Sequence, residues 1–118
     1  GIITLNTTKN AIISLKSANI INFFPNTSYI VGRDKVNKNK PDPEHVMFLL
    51  KQFKIPYHEI CIIGDHPSDI ESARSIGARS IAIISEKHPA SEFNTSYFVD
   101  QSKIETELIE ILNNFIKK

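Results

Sequence analysis

Residues 60–69 read Ile-Cys-Ile-Ile-Gly-Asp-His-Pro-Ser-Asp. The apolar run Ile60–Gly64 is rich in β-branched side chains, which is typical of a strand buried on both faces of a parallel sheet. A helix is predicted from about Asp69 to Ile76, and Gly77 follows it at the position where glycine commonly ends a helix. The stretch therefore predicts one strand–turn–helix unit of an α/β fold.

Strands and helices alternate outward from this unit in both directions. Short apolar strands separated by helices of about ten or more residues predict βαβ units with right-handed crossovers. We therefore predict an α/β fold, a three-layer sandwich with a mostly parallel sheet. The further strands are predicted at Ile2–Leu5, Tyr29–Gly32, Ser80–Ser85 and Tyr97–Val99, and the further helices over residues 9–19, from Pro43 onward and over Ile104–Ile116.

The helix from Pro43 has a clear start, because Asp42 can cap it and proline is tolerated in a first turn. Its apolar side chains recur at helical spacing and are expected to form one buried face. That predicted face consists of Val46, Met47, Leu49, Leu50 and Phe53.

Composition excludes several classes of protein. The 118 residues carry 14 basic and 13 acidic side chains, a net charge of +1, which gives no reason to expect nucleic-acid or anionic-membrane binding. A single cysteine, Cys61, excludes an internal disulfide and a multi-cysteine zinc site, and we expect it to be an inert core residue. No apolar run approaches the roughly 18–20 residues of a membrane span, and no signal segment is present, so a cytoplasmic protein is expected.

Two carboxylates follow the predicted strand at residues 60–64. In parallel sheets, ligands bind beyond the carboxyl ends of the strands. Gly64 lets the backbone turn tightly before Asp65, and Asp69 would point back from the first helical turn toward the same opening. Such a pair suits Mg²⁺, which takes few protein oxygens and keeps several waters. The alternative is that either aspartate merely caps the helix.

Candidates for phosphate binding follow the first two strands. Lys40 lies between a polar loop and a proline-anchored helix start, where an ammonium could neutralise phosphoryl oxygens. The alternative is a solvated loop lysine, with Lys38 as an equal neighbour. Thr4, at the end of the first strand, could donate its hydroxyl to phosphate, with Asn6 as a further candidate. Thr7 and Thr8 compete with Thr4 for this role, and either could instead cap the helix at 9–19.

The four histidines, at positions 45, 58, 66 and 88, form no metal-ligand spacing. His66 could contact substrate, although a solvent-facing imidazole is the simpler expectation. No histidine is therefore assigned to the site.

These elements together resemble a known arrangement. Lys40 stands in Lys-Pro-Asp-Pro-Glu, residues 64–73 read Gly-Asp-His-Pro-Ser-Asp-Ile-Glu-Ser-Ala, and Gly-Ala follows at residues 77–78. With Thr4 at a strand end, this order resembles the haloacid dehalogenase superfamily, and within it the phosphoglycolate-phosphatase-like hydrolases. The resemblance covers roughly residues 1–100.

The resemblance implies a phosphotransferase core that hydrolyses small phosphorylated metabolites. In the family, an aspartate attacks phosphorus to form an aspartyl-phosphate, and a second aspartate two residues later serves as acid and base. The carboxylates matching Asp65 and Asp69 help to hold Mg²⁺. The lysine matching Lys40 and the hydroxyl matching Thr4 steady the phosphoryl group.

The sequence departs from the family pattern at its beginning. The family's nucleophile lies in an Asp-x-Asp segment on a central strand, and no such pair ends an apolar strand here. The mobile cap domain is also missing, and the chain opens at Gly1 directly in an apolar run. We therefore expect residues 1–118 to be the C-terminal part of a core domain, inactive alone. The inner edges of the strands at Ile2–Leu5 and Ile60–Gly64 would then pair with an N-terminal segment or a second chain.

Two other functions remain open at this point. A receiver domain also uses aspartate, threonine and lysine beside Mg²⁺, but it needs an acidic pair where this chain has Thr4 and Asn6. A non-catalytic scaffold or interaction module is the other alternative, and it leads if the natural protein starts near Gly1.

Overall fold

The computed structural model describes residues 1–116, which divide into two compact units, each with its own parallel sheet. The unit Gly1–Ile55 contains β1 (Ile2–Ile3), α1 (Thr8–Ser17), β2 (Ile30–Val31) and α2 (Pro43–Leu50). The unit Pro56–Lys118 contains β3 (Cys61–Gly64), α3 (Pro67–Ile76), β4 (Arg79–Ile84), β5 (Phe98–Asp100) and α4 (Ile109–Ile116). All strand pairs in the described residues are parallel, so the predicted α/β class is confirmed.

The first unit is built on the pair β1–β2. Ile2 lies opposite Ile30 and Ile3 opposite Val31. Helix α1 packs against β2, and α2 packs against both strands. The apolar side chains buried here are Ala11, Ile30, Val31, Val46, Leu49 and Leu50.

Strand β1 is shorter than the predicted Ile2–Leu5. The Thr4 hydroxyl accepts the Asn6 backbone N–H at 3.1 Å, a local bond that turns the chain away from the strand direction. Leu5 is consequently exposed.

The buried face of α2 differs from the predicted one at a central position. His45 is fully buried, whereas Met47 is 41% exposed. Position 45 precedes Leu49 by four residues and so shares its face, while position 47 points elsewhere. The prediction for Met47 is wrong, because the position of a residue around the helix decides its burial here and its hydrophobicity does not. Phe53 lies beyond the end of α2 and is half-buried against the Tyr29 ring.

The second unit has three layers around the sheet β3–β4–β5, in which β4 is central. Successive side chains of a strand point to opposite faces. Accordingly, Ala82 packs with Ile70 of α3, and Ile81 packs with Phe115 of α4. Helix α3 therefore covers one face of the sheet and α4 the other.

Helix α3 begins two residues earlier than the predicted Asp69. His66 is its N-cap, and Pro67 occupies the first turn, where its missing N–H costs no hydrogen bond. Gly77 ends the helix with φ of +72°, the left-handed conformation that glycine adopts without steric cost, as predicted.

The predicted helix Ile104–Ile116 is not regular along its length. Residues Ile104–Leu108 form a wider π-helical turn, and α4 proper begins at Ile109. The Thr106 hydroxyl donates to the Lys103 carbonyl at 3.2 Å, so a side chain uses an acceptor of the backbone ladder. Within residues 1–116, every helix falls short of the length and apolar content needed to cross a bilayer.

Candidate functional site

The carboxyl end of β3 brings Gly64 and Asp69 into direct contact. A Cβ atom built on Gly64 would overlap the Cβ, Cγ and Oδ2 atoms of Asp69. Gly64 was predicted for a tight turn, but Gly77 is the only glycine in the described chain with a positive φ. Gly64 is required instead because it leaves space for the carboxylate to lie against the backbone.

Asp69 is 7% exposed, and its position is fixed by the start of α3. Its Oδ2 accepts the His66 backbone N–H at 3.2 Å, while His66 Nδ1 accepts the Ser68 N–H at 3.1 Å. This reciprocal arrangement is a capping box. Asp69 and His66 thus both cap the start of α3, and the metal-binding role of Asp69 stays a prediction beside this capping role.

Asp65 is exposed and lines an open pocket of about 910 Å³ at the carboxyl ends of the second unit's strands. This is the end of a parallel sheet at which ligands bind. The same pocket includes Ser85, Glu86 and Lys87, which follow β4. The full lining is Ile63, Gly64, Asp65, His66, Ile83, Ser85, Glu86, Lys87, His88, Gln101 and Ile104.

The donor chemistry fits Mg²⁺ better than a transition metal. Among residues 1–116, no three His, Cys, Asp or Glu side chains lie close enough to hold a metal together. A zinc site needs three or four such ligands, whereas Mg²⁺ is commonly bound by one or two carboxylates and several waters. Asp65 and Asp69 supply oxygen donors of that kind, and their role as ligands stays a prediction.

In the first unit, Thr4 lies at the end of β1 with its backbone N–H donating to the Val31 carbonyl at 3.1 Å. Its hydroxyl accepts from Asn6, so the hydroxyl hydrogen is left for another acceptor. Asn6 itself is exposed, and its carbonyl accepts the Arg33 N–H at 3.0 Å. Thr4 and Asn6 therefore share one turn after β1.

The hydroxyls of Thr7 and Thr8 have structural partners at the start of α1. Thr7 accepts the Asn10 N–H at 3.2 Å and is the N-cap. The Thr8 hydroxyl donates to Asp34 Oδ1 at 2.9 Å, which uses its only hydrogen. Thr8 cannot then donate to phosphate in this conformation, which favours Thr4 over Thr8, whereas Thr7 only accepts a bond and so keeps its hydroxyl hydrogen, as Thr4 does.

Lys40 is half-buried, whereas Lys38 is exposed. The Lys40 backbone N–H donates to His45 Nδ1 at 3.1 Å. The first turn of α2 also holds Lys38, because Glu44 Oε2 accepts its backbone N–H at 2.9 Å. The two lysines are therefore not equivalent, since the backbone of Lys40 is tied to a buried side chain.

Each unit thus gathers part of the predicted site at the carboxyl ends of its strands. Thr4 and Lys40 are joined within the first unit through hydrogen bonds that involve Val31 and His45. In the second unit, Asp65 precedes the first turn of α3 and Asp69 lies within that turn.

No role was predicted for His45 or His88, although His45 contacts Lys40 in the first unit and His88 lines the pocket of the second. His45 was excluded only because it lacks metal-ligand spacing, although its place on the apolar face of α2 was a usable signal. His88 lines the pocket beside Asp65, and its Nδ1–H donates to Glu92 Oε2 at 2.6 Å. His88 lies outside any helix, so its spacing of four residues from Glu92 gave no usable signal for this contact.

Shifted pKa values occur at two groups that bear on stability and reactivity. Burial raises the pKa of the Cys61 thiol to about 11, so the thiol stays protonated and unreactive at neutral pH. Cys61 is half-buried, which agrees with the predicted inert role. The Thr8 backbone N–H holds the pKa of Asp34 below its usual range, although burial opposes this.

Comparison with known proteins finds one matching family and several similar phosphate-releasing enzymes by name. A sequence model of the haloacid dehalogenase-like hydrolases matches residues 1–83. A Caldanaerobacter subterraneus subsp. tengcongensis protein, provisionally named a pyrophosphatase, is 44% identical over 54 residues, which are 46% of this chain and 24% of that protein. A phosphoglycolate phosphatase of Pseudomonas savastanoi pv. phaseolicola is 28% identical over 75 residues, 61% of this chain and 28% of that enzyme.

Among solved structures, a hydrolase from Pseudomonas syringae superposes with a TM-score of 0.69 at 28% identity. The superposition covers 86% of this chain and 47% of that one. The chain therefore spans about half of that hydrolase, and its matched segments span smaller shares of the two relatives.

Proposed function

Because the chain belongs to the haloacid dehalogenase-like hydrolase family, we propose that the whole protein is a Mg²⁺-dependent hydrolase of small phosphate monoesters. The observation that carries this proposal is the pair Asp65 and Asp69 at the carboxyl end of β3, with Gly64 leaving space for the second carboxylate. The phosphoglycolate phosphatase among its relatives supports the substrate class.

We assign the residues of the chain as follows. Asp65 and Asp69 would hold Mg²⁺, which neutralises charge on the phosphoryl oxygens when bound. Lys40 would hydrogen-bond a phosphoryl oxygen through its ammonium, and Thr4 would donate its hydroxyl to another, with Asn6 beside it. These groups bind and orient the phosphoryl group.

The attacking aspartate is proposed to lie outside the 118 residues. Its carboxylate oxygen would form a bond to phosphorus as the ester oxygen–phosphorus bond breaks, and the leaving alcohol would take a proton from a second aspartate. Water would then hydrolyse the aspartyl-phosphate to release phosphate. By this proposal, the 118-residue chain alone does not turn over substrate.

The open edge of β3 supports a strand partner from outside the chain. Among the described strands, β3 pairs only with β4, and Ile63 on β3 is 42% exposed. An unpaired edge of this kind is an aggregation hazard unless another strand covers it. We propose that a further segment of the same protein, or a second chain, pairs there.

The test is a phosphatase assay on the protein expressed from its complete reading frame, with a chromogenic phosphate ester and Mg²⁺. Activity should disappear with EDTA and return with Mg²⁺. Asp65→Asn should lower kcat/KM by roughly 100-fold or more, on the scale seen when one group that stabilises the transition state is removed. Glu71→Gln, which changes an exposed carboxylate on α3, is the matched control and should retain activity.

Other outcomes separate the alternatives. Preference for pyrophosphate over all monoesters would replace the proposed substrate class by the phosphoanhydride class of the provisionally named relative. No turnover of any phosphate compound by the complete protein would favour a non-catalytic scaffold. Turnover by the 118-residue chain that is lost in Asp65→Ala would overturn the proposed position of the nucleophile.

A further inference from the structure

His45 is a buried titratable side chain whose two ring nitrogens both have partners. It is 0% exposed, on the first turn of α2. Its Nδ1 lies 3.1 Å from the Lys40 backbone nitrogen, and its Nε2 lies 3.0 Å from the Val31 carbonyl oxygen. A buried imidazole with two such contacts is held in one orientation.

The partners determine which nitrogen carries the proton. The Lys40 N–H can only donate, so Nδ1 of His45 must accept and therefore lacks a hydrogen. The Val31 carbonyl can only accept, so Nε2 must donate. In this arrangement His45 is consequently neutral. Its proton is on Nε2, which donates to Val31, and its bare Nδ1 accepts from Lys40.

The Val31 carbonyl extends this connection to the first strand. It accepts the Thr4 backbone N–H at 3.1 Å as well as the His45 ring N–H. A carbonyl oxygen has two lone pairs, so both bonds can form together. His45 thereby links the end of β1, the end of β2 and the backbone of Lys40.

The neighbouring residue Glu44 holds a different part of the same loop. Its Oε2 accepts the backbone N–H groups of Asn37 at 2.6 Å and Lys38 at 2.9 Å. Glu44 thus holds the backbone of Asn37 and Lys38, whereas the buried imidazole of His45 accepts the backbone N–H of Lys40. Lys40 is thus fastened separately from its basic neighbour.

We propose that His45 is a positioning residue, which sets the place of Lys40 relative to Thr4 through the Val31 carbonyl. The inference rests on the proposed function, since it assumes that Lys40 and Thr4 contact a phosphoryl group. His45 touches no reacting atom, and its effect on turnover is transmitted through the Lys40 backbone. Misplacement of a substrate-binding group by about 1 Å can lower rate by about 100-fold.

Three substitutions separate the two hydrogen bonds of His45. His45→Asn retains an acceptor near the position of Nδ1 and loses the donor to Val31. His45→Gln retains a donor near the position of Nε2 and loses the acceptor for Lys40. His45→Leu fills the space and retains neither. Val46→Ala truncates the adjacent buried side chain and leaves both bonds in place.

The experiment uses the protein from the complete reading frame and measures amide hydrogen exchange at Lys40, melting temperature and phosphatase kinetics. The Lys40 amide should exchange slowly in wild type, His45→Asn and Val46→Ala, and at least tenfold faster in His45→Gln and His45→Leu. The kcat/KM should fall about 10- to 100-fold in the latter two and less in His45→Asn. Val46→Ala should lower the melting temperature while kcat/KM stays within about twofold.

Results of two kinds would overturn the proposal. One is fast exchange of the Lys40 amide in wild type, or exchange unchanged in His45→Leu. The other is kcat/KM that follows melting temperature alone across all four variants. Absence of phosphatase activity in wild type would instead contradict the proposed function, and the exchange pattern would still decide whether His45 holds Lys40.

Discussion

At the scale of single residues, the contact between Gly64 and Asp69 decides whether the proposed metal site can form. Asp69 is nearly buried, and its carboxylate occupies the space that any side chain at position 64 would need. A glycine that appears in sequence as a turn former therefore acts by leaving room for a carboxylate.

Gly64→Ala should displace Asp69 and weaken Mg²⁺ binding. The added methyl group overlaps three side-chain atoms of Asp69, and overpacking of this kind costs about 1–3 kcal/mol of unfolding free energy. Mg²⁺ titration and urea unfolding of the same variant give the two measurements.

Gly77→Ala is the matched control for the alanine substitution. A Cβ at Gly77 meets no atom within 4 Å, but φ is +72°, so the cost of about 1 kcal/mol comes from backbone conformation alone. Mg²⁺ affinity should stay at the wild-type value. Equal loss of Mg²⁺ affinity in both variants would show that the Gly64 contact has no special role.

Residue types and spacing predicted the candidate aspartates and Lys40, but not the side chains that support them. The motif Gly-Asp-x-x-x-Asp after an apolar strand can be recognised from the sequence, because its two aspartates are close together along the chain. The role of His45 depends on Val31, fourteen residues away, and on a loop whose path the sequence leaves open. Helical position alone would have placed His45 inside and Met47 outside.

At the scale of elements, the start of α1 depends on one exposed carboxylate from another part of the first unit. Asp34 Oδ1 accepts the backbone N–H of Thr8 at 2.7 Å and the Thr8 hydroxyl at 2.9 Å. A negative charge at a helix N-terminus is also favoured by the helix dipole. Asp34 therefore joins the loop after β2 to the helix after β1.

Asp34→Asn should lower stability at neutral pH, with the difference from wild type lost in acid. The pKa of Asp34 in the folded chain lies below the ordinary value of 3.8, chiefly because Thr8 donates to the charged form. The contribution of Asp34 is therefore complete above that ordinary value and disappears as pH falls through the lowered pKa. Urea midpoints of both proteins between about pH 7 and pH 2.5 measure the effect.

A constant difference between the two urea midpoints across that range would contradict the role of the charge. It would mean that the asparagine and the carboxylate differ only in packing.

The order of the elements was predictable, whereas their ends were not. Apolar runs and helical spacing identify each strand and long helix, because burial imposes the pattern over several residues. Ends depend on single hydrogen bonds, such as the Thr4 hydroxyl that closes β1 and the His66 ring that starts α3. The π-helical turn at Ile104–Leu108 has no signal in the sequence that we can identify.

At the scale of the whole molecule, the parallel strands place the candidate side chains at their carboxyl ends in both units. Topology makes this predictable, because ligands bind beyond those ends in α/β sheets. Family membership was likewise predictable, since the lysine and aspartate motifs occur in the family's order. The substrate is not, because neither the lysine motif nor the aspartate motif distinguishes one phosphate ester from another.

The central claim is that Asp65 and Asp69, at the carboxyl end of β3, hold the Mg²⁺ of the proposed phosphatase. The most direct measurement is a crystal structure of the protein from the complete reading frame with Mg²⁺ and inorganic phosphate. We predict Mg²⁺ about 2.1 Å from a carboxylate oxygen of Asp65, with phosphate bound beside the metal. Phosphate and metal bound elsewhere, remote from both aspartates, would contradict the account.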